Sequence, residues 1–208
     1  MKIIGINGSP RANGNTKAAL DVMGEVFAQE GIDFDVLHIG HQLSPCTGCF
    51  RCAKTHTCTL PDDSLNGLYQ KLIQADGVVF GSPVYFASIT SVMRCFMDRI
   101  GCIDMNNGRQ FRFKVGAPLV VARRAGAVSA IDELVHYINY AQMIIPGSLY
   151  WPLVSGNRPG EVAQDPEGIQ TAQVLAQSMA YVMKAMAVGR DQVSLPELPK
   201  KTYTNFVR

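Results

Sequence analysis

The chain has 208 residues, 47% of them hydrophobic, enough for one domain with a sizeable core. Nineteen Lys and Arg against seventeen Asp and Glu leave a net charge of +2, which gives no electrostatic case for nucleic acid or a membrane surface as partner. No apolar run is long enough to span a bilayer, and the apolar stretch at residues 1–6 is too short for a signal peptide, so a cytoplasmic protein is expected.

Residues 2–6 form a short β-branched run that leads into glycine. Residues 16–29 have helical spacing, with Leu20, Val22, Met23, Val26 and Phe27 apolar. Residues 35–39 read as a second strand, and 40–61 are irregular. Asp62 or Asp63 can cap a helix that runs to about Gln74. Residues 77–81 (GVVFG) make a buried strand. Residues 89–100 follow as a helix with Ile89, Val92, Met93, Phe96 and Ile100 on one face. Residues 115–122 predict a fourth strand, 130–144 a helix and 149–154 a fifth strand. A helix over 169–186 closes a single domain of residues 1–190, with 191–208 left as a tail.

Strict alternation of strand and helix implies an α/β fold, a parallel sheet with helices on both faces. Such sheets bind ligands beyond the C-terminal ends of their strands, so function is expected in loops 7–16, 40–61, 82–88 and 122–128.

The first loop reads Asn7-Gly8-Ser9-Pro10-Arg11-Ala12-Asn13-Gly14-Asn15-Thr16. A glycine loop between strand and helix offers N–H groups and a positive helix end to an anion. It lacks the G-x-G-x-x-G of a dinucleotide site. Five residues separate its glycines, and Asn15 stands where a Walker loop needs lysine. Ser9, Asn15 and Thr16 bring neutral donors, Asn13 is counted with them, and Arg11 is the only nearby cation. That set suits a phosphomonoester such as that of FMN; the alternative is a tight turn with a good helix start.

Gly8-Ser9-Pro10-Arg11 with Gly14-Asn15-Thr16 resembles the phosphate loop of the NADPH-dependent FMN reductase and iron–sulfur flavoprotein group. Gly81-Ser82-Pro83-Val84-Tyr85-Phe86, then Met93 and Phe96-Met97-Asp98-Arg99, resembles its second flavin loop and following helix. The resemblance implies a flavodoxin-like, doubly wound five-stranded sheet of order 2-1-3-4-5. It also implies that Ser82, Pro83, Val84, Tyr85 and Phe86 contact the flavin ring and ribityl chain. For Phe86 a core position stays open as the alternative. The loop Ala122-Arg123-Arg124-Ala125-Gly126 then borders the pyrimidine side of the ring, with Ala122, Arg123 and Gly126 as contacts. Arg123 or Arg124 can instead attract a pyridine nucleotide phosphate or stay solvated. Asp98 and Arg99, mid-helix, read as structural.

Cys46, Cys49, Cys52 and Cys58 spell C-x2-C-x2-C-x5-C. Three thiolates this close can wrap one face of a cubane cluster, and a fourth can close it. Structural zinc prefers two separated pairs, although His56 keeps zinc open, as are free or redox-active thiols. The last gap and Thr59 depart from the bacterial ferredoxin run. The resemblance implies a [4Fe–4S] cluster on these four residues. Cys95 and Cys102 read as small core residues.

The expected protein is thus an FMN-dependent oxidoreductase that draws on NAD(P)H and passes electrons through a cluster to an unknown partner. A cluster-free NAD(P)H-dependent FMN or quinone reductase and a non-catalytic electron carrier are the rivals. The resemblance further implies a homo-oligomer, dimer or tetramer. The cysteine loop or the tail 192–208 could then reach a neighbour.

Overall fold

The computed structural model describes residues 1–61, 64–200 and 202–204; the suggested cap at Asp62 or Asp63 lies outside them. Its strands are β1 (Lys2–Asn7), β2 (Asp33–His38), β3 (Gly77–Pro83), β4 (Val115–Ala122) and β5 (Leu153–Ser155). They pair in parallel in the order β2-β1-β3-β4-β5, the expected flavodoxin-like topology. The helices are α1 (Asn15–Gln29), α2 (Cys52–Thr55), α3 (Leu65–Gln74), α4 (Ser91–Asn106), α5 (Ala127–Tyr140) and α6 (Pro166–Gly189).

The sheet is covered on both faces, which is why β4 is buried at every position and reads as one apolar run. One core packs α3, α4 and α5 on the sheet through Leu68, Leu72, Phe96, Ile100, Leu134 and Ile138. The other packs α1 and α6 through Leu20, Met23, Phe27, Leu175 and Met179. Each such side chain contributes roughly 1.5–3 kcal/mol of burial.

Element ends depart from expectation where local forces compete. β2 begins at Asp33, earlier than its polar start suggests, because an edge strand tolerates acids on its solvent side. Lys2 Nζ pairs there with Asp35 at 2.6 Å. α5 ends at Tyr140, not at residue 144. Gln142 takes φ 59°, and Ile144 turns extended to bridge Val115. β5 runs only over Leu153–Ser155 and shares just Leu153 and Val154 with the predicted 149–154 strand. Pro152 brings no donor, and Tyr150 and Trp151 point outward against each other, ring centroids 4.5 Å apart. α6 starts at Pro166, capped by Asp165, whose Oδ1 accepts from the Gly168 N–H at 2.9 Å. Residues 191–200 carry no regular structure; Arg112 donates to the Pro196 carbonyl at 2.7 Å. Among the described residues no helix is long and apolar enough to cross a membrane.

Candidate functional site

The loop after β1 is stapled from within. Asn7 is buried, and its Oδ1 accepts from the Ser9 N–H at 3.1 Å while its Nδ2 donates to the Ala12 carbonyl at 3.0 Å. The Gly8 N–H donates to the Gly81 carbonyl at 2.8 Å. A Cβ at Gly8 would stand 2.8 Å from Met93 Sδ and 2.9 Å from that same carbonyl, so only glycine fits. Thr90 caps α4 by accepting from the Met93 N–H, and its own hydroxyl donates to the Gly8 carbonyl at 2.7 Å. At the other end of the loop, Gly14 begins α1 without a side-chain cap, and no acid occupies the first turn. Free helix N–H groups and the positive helix end therefore face the space beyond.

That space is a cavity of about 170 Å³. Ser9, Arg11, Asn15, Thr16, Pro83, Val84, Tyr85 and Arg123 all line it, so loops far apart in sequence meet as expected. A more open hollow of about 310 Å³ shares Val84 and Arg123 with it and adds Phe86, Ala87, Arg124 and Ala125. Four expected contacts sit differently. Asn13 is exposed, off the wall of either cavity. Ser82 is fully buried, its hydroxyl donating to the Pro83 carbonyl at 3.0 Å and accepting from the Thr90 N–H at 3.2 Å. It braces the second loop from below. Ala122 is buried, its carbonyl accepting from the Gly156 N–H. Gly126 takes φ 86° at the start of α5, and a Cβ there would press on Ala87 at 2.8 Å.

The second loop folds into a tight hairpin. Tyr85 and Ser88 exchange N–H to carbonyl bonds of 2.8 and 3.0 Å. Phe86 and Ala87 between them take φ 50° and 59°, the left-handed pair of a type I′ turn. For residues with a side chain this costs roughly 1–2 kcal/mol each. Glu133 on α5 holds the turn: it accepts from Ser88 Oγ at 2.6 Å and from the Ile89 N–H at 3.3 Å, and pairs with Arg94. Phe86 is wholly exposed, so the core alternative for it fails.

A fifth loop, absent from the sequence expectation, completes the first cavity: Gly156, Asn157 and Pro159 line it beyond β5. Asn15 holds this loop. Its Nδ2 donates to the Arg158 carbonyl and its Oδ1 accepts from the Gly160 N–H, both at 2.9 Å. The signal was the turn Asn157-Arg158-Pro159-Gly160 directly after a strand.

The four motif cysteines share a separate small cavity of about 20 Å³ with Arg99 and Cys102. All six cysteines are free thiols. Among the described residues no three His, Cys, Asp or Glu side chains stand close enough to hold one ion. Asn66 fixes the backbone of Cys58 on both sides, at 2.8 Å each. Arg99 is buried, and its Nε and Nη2 reach Cys58 Sγ at 3.3 and 3.1 Å. Cys102 packs partly buried against the core, as expected, and its sulfur lies 3.6 Å from that of Cys52. Burial above all, and then Cys52 and Cys46, push the Cys102 thiol up to about 12. The Arg51 backbone N–H and the Thr47 hydroxyl draw the exposed Cys49 thiol down. His56 ends α2 with φ 55° and does not line the cavity. Asp98 accepts from the Tyr137 hydroxyl, as a structural residue would.

A parallel sheet of this order, with a lysine-free glycine loop after its first strand and aromatic and arginine loops beside it, defines a flavodoxin-like α/β protein. A sequence profile of the NADPH-dependent FMN reductase family matches residues 1–158. An iron–sulfur flavoprotein of Methanocaldococcus jannaschii is 33% identical over 192 residues, covering 88% of this chain and 98% of that one. One from Archaeoglobus fulgidus is 32% identical over 199 residues, covering 89% and 96%. Among solved structures, RosB with bound 8-demethyl-8-formylriboflavin-5'-phosphate matches 100% of this chain and 94% of its own, with a TM-score of 0.72 at 14% identity. The chain belongs to the NADPH-dependent FMN reductase and iron–sulfur flavoprotein family. It is an FMN-dependent oxidoreductase.

Proposed function

We propose that the chain is an electron-transfer flavoprotein that exchanges electrons between FMN, a [4Fe–4S] cluster and a partner still to be found. The continuity of the two cavities through Val84 and Arg123 carries this reading, for it joins an anion cradle to an aromatic and cationic wall. Ser9, Thr16 and the first N–H groups of α1 would hold the phosphate, with Arg11 as its counter-charge. Tyr85 and Phe86 would flank the ring. Arg123 would stabilise the negative charge that a reduced ring gains. When bound, FMN supplies both one- and two-electron chemistry, and the cluster supplies single-electron steps.

The donor set suits the cluster in kind: four thiols on one cavity, with guanidinium N–H groups at one of them. Cys46, Cys49, Cys52 and Cys58 would be the ligands. Arg123 and Arg124 beside the open hollow favour a second reading, in which NAD(P)H delivers a hydride there and no cluster takes part. Six free thiols suit a reducing compartment such as the cytoplasm.

Anaerobic purification decides between the readings. A brown protein with stoichiometric iron, acid-labile sulfide and FMN is expected. A yellow protein without iron would leave the cluster-free reductase, and a colourless chain that fails to quench added FMN fluorescence would overturn both. Stopped-flow mixing with NADPH and NADH then tests the donor, since flavin bleaching with neither would point to a carrier.

A further inference from the structure

We infer that one stripe of α4, Arg99, Cys102 and Asn106, is the outer hydrogen-bonding shell of the cysteine site, with Arg99 and Cys102 as positioning residues that tune its reduction potential. The inference rests on the cluster reading above. Positions 99, 102 and 106 fall at i, i+3 and i+7 and so share one helix face. That face turns onto the cavity lined by the motif cysteines.

Several polar contacts join this stripe to the sulfurs and the loop backbone of the site. Arg99 gives Nε and Nη2 to Cys58 Sγ at 3.3 and 3.1 Å, and its Nη1 reaches the Ser44 carbonyl at 3.4 Å. One guanidinium thereby ties the two ends of the cysteine loop together, ahead of Cys46 and at Cys58. A guanidinium stays charged at any working pH and presents its donors in a rigid fork. Cys102 sits 3.6 Å from Cys52 sulfur to sulfur, and Asn106 Nδ2 holds the Cys102 carbonyl at 2.8 Å. Neither Arg99 nor Cys102 belongs to the C-x2-C-x2-C-x5-C pattern.

Donors aimed at ligand sulfurs favour the more negative, reduced cluster and so raise its potential, and outer-shell partners of this kind also fix ligand orientation. With Cys52 held as a thiolate ligand, the proton of the 3.6 Å sulfur pair would stay on Cys102, which would then be the donor.

The test uses the full-length chain, reconstituted anaerobically with iron and sulfide. Iron and sulfide are assayed, and the cluster and FMN potentials are followed by EPR and visible titration. Cys102→Ala is expected to keep the wild-type iron content but move the cluster potential to a more negative value. Cys102→Ser, which keeps a donor, should restore most of that shift. Arg99→Lys, which keeps charge and loses the fork, should shift the same way. Cys95→Ala, on the same helix but off the cavity, should shift nothing, and the FMN potential should hold in every variant. Should Arg99→Lys fail to fold, Cys102→Ala decides. A wild-type cluster potential in loaded Cys102→Ala, or loss of its iron, overturns the inference while leaving the cluster reading standing. A wild-type chain that takes up no iron and sulfide overturns both.

Discussion

Asn15 offers the sharpest test of how the phosphate end of the site is built. Its amide makes two 2.9 Å bonds to residues more than 140 positions away, the Arg158 carbonyl and the Gly160 N–H. Asn15→Ala removes both. At roughly 0.5–1.5 kcal/mol per bond, the loop at 156–160 loses about 1–3 kcal/mol of anchoring. FMN must then supply that ordering on binding, so its affinity should fall by about tenfold, given that 1.4 kcal/mol is one decade. Asn15→Asp keeps an acceptor for Gly160 and loses the donor to Arg158, and it adds a charge near a phosphate, so it should be at least as weak. Fluorescence-quenching titration of the FMN-free chain measures this directly. An Asn15→Ala protein with wild-type affinity would refute the clamp and leave Asn15 as a helix-start residue only.

Gly8→Ala forces a methyl against Met93 and the Gly81 backbone, so a loss of about 1–3 kcal/mol is expected, read as a lowered midpoint in urea unfolding. Glu133→Ala releases Ser88, Ile89 and Arg94; amide exchange at residues 85–89 should quicken, with about 1–3 kcal/mol lost. Burial raises Asp104 from 3.8 to about 6, so the folded chain holds this proton more tightly than the unfolded one. Its contribution is full below pH 4 and is lost as pH climbs through 6, about 3 kcal/mol in all. Asp104→Asn should therefore gain stability relative to wild type across that window, and a flat difference would refute the assignment. Cys49→Ala and Cys58→Ala should each abolish stoichiometric iron, whereas Cys95→Ala should retain it.

The central strands were legible because burial on both faces leaves only apolar residues, as in GVVFG and GAPLVVA. The sheet edges were not. β2 opens on Asp33 because one side faces water, and β5 is short because Pro152 and the outward Trp151 interrupt it. Periodicity ran the fifth helix on to Ile144, since a bridging extended residue and a helical one are equally apolar. In the site, the glycine loop announced itself by composition, and eight of its expected wall residues do meet at one cavity. Arg99 and Cys102 showed a helical period but not a partner. Their contacts, Cys58 and Cys52, lie 41 and 50 residues away, a separation that local pattern does not reach.

The hairpin at Phe86 and Ala87 has a consequence for how this chain can be improved. Glycine at 87 would relieve the left-handed strain there and loosen the turn that presents the ring. Heat selection alone should therefore enrich glycine at that site, and screening for turnover should remove it again. The most thermostable variant and the fastest one would be different molecules, parted at a single surface turn.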